Sequence, residues 1–178
     1  DIVMVDFSTL VKKRRSHRKF DEKKIDAEHV SLILRAALMA PTSKSCRAWH
    51  FIVVEDKDDI EKIADAKEMG GQFLKSAPLV IVVAGLPSEN DCWIEDCSIA
   101  AISMQYQAEE LGLGSCWAQI HKRGLSDGTT ATEVIQGVLG LPDDYMVLCA
   151  IGFGYALDER KEQNEENLKW ENVHLNKF

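Results

Sequence analysis

The sequence predicts a fold in which helices cover both faces of a central β-sheet. Short apolar runs of strand length, bounded by turn residues, are typical of strands that are buried on both faces. Segments with apolar residues at helical spacing alternate with these runs along the chain. One long segment, 93–111, is apolar on more than one side, which indicates a central, buried helix. Alternation of this kind places the sheet between layers of helices.

Each predicted element has its own end signals. Asp26 is the expected N-cap of the second helix, and Pro41 ends that helix. Gly112 and Gly140 follow two later helices and are expected to end them, because glycine adopts the left-handed conformation without a steric cost. In chain order, the predicted elements are helices over 6–13, 26–40, 60–66, 93–111 and 132–139, a short helix before Pro78, and strands over 50–54, 79–83, 115–120 and 146–153.

The chain changes character after Gly154. Residues 158–167 are charged and lack an apolar face, and they lead to an ending with spaced apolar residues, Trp170, Val173 and Phe178. A tail of this kind either frays or is held by another surface. We expect residues 1–178 to form one domain without repeats or linkers, in which about 155–178 are a C-terminal arm that clasps a partner subunit.

The overall composition is typical of a soluble globular protein, with 46% hydrophobic and 28% charged residues. The net charge of −8 argues against nucleic-acid binding, which requires many Lys and Arg to neutralise phosphates. No apolar run reaches the roughly 20 residues of a membrane span. Asp1–Val5 lack a basic region followed by a long apolar one, so we expect no signal peptide, with Met4 as a candidate start residue. A cytoplasmic location is the expectation.

The cysteines are odd in number and show neither a CxxC pair nor the spacing of a zinc site. We therefore expect no metal site, and small buried hydrophobic side chains in a reducing compartment. Cys46 is the exception, because Lys44 and Arg47 lie close to it in a polar loop, a setting that favours a reactive thiolate. The five positions are Cys46, Cys92, Cys97, Cys116 and Cys149.

A basic stretch, residues 14–20, stands out in this acidic chain. Arg14 and Arg15 end the first helix, and Arg18 follows a predicted break. Several guanidinium groups and the hydroxyl of Ser16 can therefore converge on one small dianion, such as a phosphate monoester. From the residues alone, the alternative is a solvated basic face at a helix C-terminus, where cations complement the helix dipole.

Four motifs follow one another along the chain. They are Arg14-Arg15-Ser16-x-Arg18-x-Phe20; Ala40-Pro41-Thr42-Ser43 with Trp49-His50-Phe51-Ile52-Val53 close behind; Gly112-Leu113-Gly114-Ser115-Cys116-Trp117; and Leu141-Pro142 with Ile151-Gly152-Phe153-Gly154. In order and spacing they resemble the FMN-dependent nitroreductase family, over about Phe7 to His174. The resemblance implies an α+β fold with a central, mostly antiparallel sheet flanked by helices. It also implies an intertwined homodimer with FMN at the interface and the C-terminal arm exchanged.

The resemblance assigns cofactor-binding roles residue by residue. Matching positions are Arg14, Arg15, Ser16 and Arg18 for the FMN phosphate and ribityl chain; Pro41, Thr42, Ser43 and Ser45 beside the flavin; and Trp117, Ala118 and Gln119 along the isoalloxazine ring. Near the C-terminus, Lys169, or Asn167 in its place, matches a residue that returns to the phosphate. No catalytic side chain is expected, because the flavin N5 carries the chemistry.

Three positions depart from the family pattern, and one of them is Ala48, where the family often has Pro. Ser45 and Arg47 stand where the family often has amides, and Ser45 offers a hydroxyl instead of an amide donor and acceptor. Arg47 adds a cation, which favours an anionic flavin or an acidic substrate. His121, Lys122 and Arg123 are expected near the mouth of the site, whereas His50 and His174 are expected to be structural.

The implied function is an NAD(P)H-dependent FMN oxidoreductase that reduces nitroaromatic, quinone or related conjugated electrophiles. Ping-pong kinetics are expected, because the reduced nicotinamide leaves before the acceptor binds. Two alternatives stay open: an enzyme of different chemistry on the same fold, such as dehalogenation or flavin degradation, and a non-catalytic flavin-binding protein. The short stretch 66–76 favours a plain reductase over relatives that carry a lid. Both NADH and NADPH remain candidate donors.

Overall fold

The chain alternates helices and strands in the predicted order. The computed structural model describes residues 4–178, so the expectation about a signal peptide falls mainly on residues outside the described part. The elements are α1 (Phe7–Lys13), α2 (Ala27–Leu38), β1 (His50–Val54), α3 (Lys57–Ala64), β2 (Leu79–Gly85), α4 (Trp93–Glu110), β3 (Gly114–Gln119), α5 (Ala131–Leu139) and β4 (Met146–Gly154). Short 3-10 helices cover Ser43–Ser45, Gln72–Ser76, Glu165–Asn167 and Trp170–Asn172.

The strands form one antiparallel sheet in the order β1-β2-β4-β3. The two central strands are buried along almost their whole length, which explains their continuous apolar sequences. β1 has the predicted bounds, but the expectation that it is a buried strand was wrong. Only Val54 is buried there, because β1 lies at the sheet edge with a single neighbouring strand, so His50 and Val53 stay exposed.

Helices cover both faces of the sheet, as predicted. Successive side chains of β2 point to opposite faces, so Ile81 packs with α2 and α4, whereas Val82 packs with α3 and α5. The long helix α4 is central, and its residues Ala100, Met104 and Ala108 are fully buried. Burial of a large aliphatic side chain stabilises the fold by about 1.5–3 kcal/mol, so the sheet and α4 form the rigid part of the molecule.

The helix ends follow the local sequence signals. After α4, Gly112 has φ of +77°, its N–H donates to Glu109, and the N–H of Leu113 donates to the carbonyl of Ala108 over 2.9 Å. This is a Schellman motif, which places β3 directly after the helix. Asp26 occupies the predicted N-cap position of α2, but its side chain makes no capping hydrogen bond. No helix within residues 4–178 combines the length and apolar character needed to cross a bilayer.

Candidate functional site

The basic stretch lies along the outer edge of β3. Ser16 forms a parallel bridge with Ser115, and the N–H of His17 donates to the Ser115 carbonyl over 3.1 Å. On the other side, the amide of Gln105 in α4 donates to the Ser115 hydroxyl over 3.1 Å, which fixes the start of the strand. Gly114 permits this approach, because a Cβ there would lie 3.1 Å from the Cβ of His17.

The basic stretch lies close enough to Cys116 for three of its groups to affect the pKa of that thiol. Burial raises the pKa of this thiol, whereas the Arg18 and Arg14 charges and a hydrogen bond with Ser16 lower it. Within residues 4–178, neither arginine forms an ion pair with a carboxylate, so both guanidinium groups are available to an anion. Arg15 behaves differently, because its guanidinium donates to the carbonyl of Lys161 in the C-terminal segment.

β3 presents open backbone groups between two anchored points. The Ser115 carbonyl accepts from His17, and the Gln119 carbonyl accepts from the ammonium of Lys67 over 2.8 Å, so both face away from β4. Residues two apart on a strand have the same hydrogen-bonding direction, so the backbone N–H and C=O of Trp117 also face this edge. The Trp117 carbonyl accepts a weak hydrogen bond from the Cys116 thiol over 3.8 Å. From Ser115 to Gln119 the edge extends about 14 Å, which suits an elongated ligand.

Lys67 is a functional candidate that the sequence analysis missed. Burial is the larger cause that lowers the pKa of its half-buried ammonium, and the charge of Arg123 lowers that pKa further. The Lys67 ammonium lies at the Gln119 end of β3, whereas the basic stretch bridges to the strand at Ser115. Its contact with Gln119 spans 52 residues, and no local spacing pattern around Lys67 predicts that contact.

The side chains at the end of β3 form a connected set. Gln119 accepts from the indole N–H of Trp117 over 2.9 Å and donates to the His121 carbonyl over 3.1 Å. Burial, followed by the charge of Lys122, lowers the pKa of His121, whose ring packs edge-on against Trp93. His121, Lys122 and Arg123 line an open groove of about 890 Å³ beside this end of the strand. Their expected place near a site mouth stays a prediction.

The loop 42–47 is held by one buried carboxylate, Asp96 of α4. Asp96 accepts the N–H of Ser43 over 3.0 Å and the thiol of Cys46 over 3.7 Å, and the amide of Asn90 also donates to it. Asp96 is a second functional candidate that the sequence analysis missed. Its only sequence signal is a lone acid on an otherwise apolar helix face.

The same loop has an unusual backbone. Lys44, Ser45 and Arg47 have φ of 54°, 52° and 49°, a region that non-glycine residues rarely adopt. Such conformations cost about 1–3 kcal/mol each and persist only where the surroundings enforce them. Here the enforcing contacts are those of Asp96, together with the N–H of Arg47, which donates to the Thr42 hydroxyl over 3.2 Å. Cys46 is exposed, as expected for a polar loop.

The structure does not bring all the predicted site residues together within one chain. The loop 42–47 contacts α4 at Asp96, whereas Ser115, the β3 residue that bridges to the basic stretch, contacts α4 at Gln105, nine residues and about 14 Å further along the helix. Lys169 and Asn167 lie in the exposed C-terminal segment, where Lys169 pairs with Glu171 over 3.5 Å. The cofactor contacts of Pro41, Thr42, Ser43, Ser45, Lys169 and Asn167 stay predictions.

The segment after β4 runs back along the N-terminal part of the same chain. The N–H of Leu157 donates to the Lys19 carbonyl over 2.8 Å, and the N–H of Gln163 donates to the Lys12 carbonyl over 2.9 Å. Lys12 also pairs with Glu162 and Glu165. The basic stretch is therefore enclosed between β3 and the first part of the C-terminal segment.

These features define an α+β protein with a candidate anion site along an open sheet edge. The chain belongs to the nitroreductase family, whose family model matches residues 11–71 and 65–155. This confirms the resemblance that the four sequence motifs predict.

Known relatives agree with this assignment. A solved structure of a Clostridium difficile protein named FMN-dependent nitroreductase is 45% identical, with a TM-score of 0.93 over 95% of this chain and 98% of that chain. An Archaeoglobus fulgidus protein with the provisional name NADH dehydrogenase/NAD(P)H nitroreductase is 33% identical over 151 residues, 83% of each chain. The NADPH:FMN oxidoreductase of Vibrio harveyi, solved with NAD⁺, shares the fold, with a TM-score of 0.79 and 22% identity over 95% of this chain and 76% of that chain.

Proposed function

We propose that this chain is an FMN-dependent NAD(P)H oxidoreductase that reduces nitroaromatic compounds, quinones or related conjugated electrophiles. The observation that carries the proposal is that the basic stretch lies along the β3 edge, where Ser16 bridges to Ser115 and the charges of Arg14 and Arg18 act on Cys116. The relative named FMN-dependent nitroreductase, at 45% identity, supports the choice of cofactor.

The chemistry of the donor set fits FMN. Two guanidinium groups and a hydroxyl suit a phosphate monoester, because paired, charge-assisted hydrogen bonds hold its oxygens. The N–H of Trp117 and its C=O, which accepts only the weak thiol donor of Cys116, suit a flat heterocycle that carries both acceptors and a donor. When bound, FMN would supply the acceptance and donation of hydride.

The protein groups have separate tasks in this proposal. Arg14 and Arg18 neutralise the phosphate and so hold the cofactor. The Lys67 ammonium, fixed by its bond to the Gln119 carbonyl, stabilises negative charge at the other end of the edge. The β3 backbone is held by β4 along one edge, and α4 holds the Ser115 side chain, so the donors of the strand are positioned in advance.

A homodimer would complete the site. Along α4 the contact of the loop 42–47 lies about 14 Å from the contact of Ser115 in β3, so in the proposed dimer the loop of one subunit serves the cofactor of the other. The C-terminal arm, with Lys169 or Asn167, would likewise cross to the partner. Arg47 would then add a cation beside the acceptor. Five free cysteines, of which three are buried, support a reducing cytoplasm as the proposed location.

The visible absorption spectrum of the purified protein tests this function directly. A flavin spectrum, release of FMN on heating, and bleaching by NADH or NADPH without oxygen are the expected results. FMN that stays oxidised with both donors would favour the non-catalytic flavin-binding alternative. Failure to take up added FMN would refute the proposal.

A double substitution tests the phosphate anchor. Arg14→Ala with Arg18→Ala removes two charge-assisted contacts, each of about 1.5–3 kcal/mol, so FMN affinity should fall by at least about 100-fold. A matched control is Lys13→Ala with Lys19→Ala, which removes the same charge from two exposed side chains of the same region. The control should keep its FMN within a few-fold of the natural affinity. Equal losses of FMN affinity in the two double variants would show that only the total positive charge matters, and they would contradict a specific phosphate anchor.

A further inference from the structure

One carboxylate, Asp158 at the start of the C-terminal segment, contacts the basic stretch through both of its oxygens. Its Oδ2 accepts the backbone N–H of Arg18 over 3.0 Å. Its Oδ1 lies 3.0 Å from Nδ1 of His17, and because an ionised carboxylate only accepts, that nitrogen carries the proton. The two side chains are largely enclosed, at 15% exposure for His17 and 22% for Asp158.

These bonds hold the residues on either side of the anion-binding groups. Ser16 is tied to β3 through the bridge to Ser115, and Phe20 is tied to Ala156 in the C-terminal segment. Between these ties, Asp158 fixes the backbone of Arg18 and the ring of His17. The direction in which Arg18 leaves the chain therefore depends on this carboxylate.

The position of Asp158 conflicts with simple electrostatics. A negative charge within the basic stretch's own surroundings weakens the attraction of that stretch for a phosphate, since like charges repel. Burial acts to raise the pKa of Asp158, but the Arg18 N–H and the His17 ring outweigh it and lower that pKa. The carboxylate is therefore ionised at neutral pH, and its contribution to an anion site is favourable only if it acts through geometry.

We infer that Asp158 is a positioning residue for the FMN phosphate, which holds Arg18 and His17 so that Arg14, Ser16 and Arg18 meet at one point. The inference rests on the proposed function. It also makes cofactor retention dependent on the start of the C-terminal arm, because Asp158 lies in that arm and at the same time holds the anion-binding groups.

A pair of substitutions with equal charge change tests this inference. Asp158→Asn and Glu159→Gln each remove one negative charge from adjacent positions, and the side chain of Glu159 is exposed. Asp158→Asn replaces one acceptor oxygen by an N–H₂ group, so it should weaken FMN binding about tenfold, although the site becomes more positive. Glu159→Gln should leave the affinity unchanged or slightly higher. Quenching of FMN fluorescence on addition to the apoprotein measures the FMN affinity of each variant.

Three further readouts separate positioning from loss of fold. Asp158→Asn should keep the Tm of the apoprotein within a few degrees, and at saturating FMN it should keep its kcat. Asp158→Glu retains the charge but moves it by one methylene. Its FMN affinity should therefore lie between that of the natural protein and that of Asp158→Asn. A Tm collapse in Asp158→Asn with normal FMN affinity in Asp158→Glu would overturn the inference.

The outcomes also distinguish the inference from the function beneath it. If the natural protein binds FMN and Asp158→Asn binds it as tightly or more tightly, Coulomb repulsion dominates and only the positioning role is lost. If the natural protein binds no FMN, the proposed function fails and the inference fails with it.

Discussion

At the scale of single residues, close backbone approach limits what this site tolerates. A Cβ built on Gly154 would lie 2.9 Å from the Cβ of Phe20 and 2.9 Å from Cδ of Pro78. Gly154 also pairs with Gly114 across β3 and β4, where a Cβ on Gly114 would meet His17. The two glycines therefore let the basic stretch lie directly against the sheet.

Replacement of Gly154 by Ala should destabilise the protein. The new methyl group requires Phe20, Pro78 or the strand itself to move, which costs about 1–3 kcal/mol. Gly137→Ala is the matched control, because Gly137 lies inside α5 and no heavy atom lies within 4 Å of its virtual Cβ. That control should stabilise the protein by about 0.5–1 kcal/mol, since alanine is the better helix former. Urea unfolding measures both, and a neutral Gly154→Ala would show that the contact relaxes freely.

The residues that the sequence did not predict share one property. Asp96 bonds to Ser43 at a separation of 53 residues, Lys67 bonds to Gln119 at 52, and Asp158 bonds to Arg18 at 140. Local spacing carries no information about such partners. By contrast, Arg14, Ser16 and Arg18 occur within five positions and all suit the binding of an anion, so the sequence alone predicts that they act together.

At the scale of elements, several helix ends were predictable because their causes are local. The start of α3 was missed, because the helix begins at Lys57 after the N-cap Asp56 and not at the predicted residue 60. Gly112 and Gly140 end their helices with φ of +77° and +71°, as the sequence indicates. The exposure of β1 was not predictable from its apolar run, because its place at the sheet edge depends on pairing with β2 alone. An edge strand and a central strand can therefore have similar sequences.

The loop 42–47 should lose its shape when its anchor is removed. Asp96→Ala leaves the Ser43 N–H and the Asn90 amide without their acceptor, which costs about 1–3 kcal/mol per buried group. The three left-handed residues of the loop then lack the contacts that enforce them. Faster amide hydrogen exchange over 42–47 is the expected result, with β2 and β4 unchanged. Asp91→Ala, an exposed acid just before α4, serves as the control and should leave this exchange unaltered.

At the scale of the whole molecule, apolar surface is exposed at scattered positions, such as Val53, Met69 and Ile99, and in two larger groups. On the body the first group lies on α1 and at the end of α2, and in the C-terminal segment the second group lies in the last eleven residues; the large side chains are Phe7, Val11, Leu38, Met39, Leu168, Trp170, Val173, Leu175 and Phe178. Isolated exposed apolar residues need no explanation, but two groups that belong to one chain favour pairing with a second copy. This surface is the physical basis for the proposed homodimer.

The proposed dimer depends on the apolar residues of the arm rather than on its charges. Trp170 is 70% exposed and Phe178 is fully exposed in the single chain, so their burial against a partner would contribute about 1.5–3 kcal/mol each. Trp170→Ser with Phe178→Ser should therefore shift the protein from dimer towards monomer in sedimentation velocity at micromolar concentration. Lys169→Ser with Glu171→Ser removes an exposed ion pair from the same arm without a change in net charge, and it should leave the dimer intact because such pairs contribute little. A dimer that survives loss of both aromatic side chains would place the interface on the body instead. The arm would then lie on its own chain, as its contacts with Lys12 and Lys19 already allow.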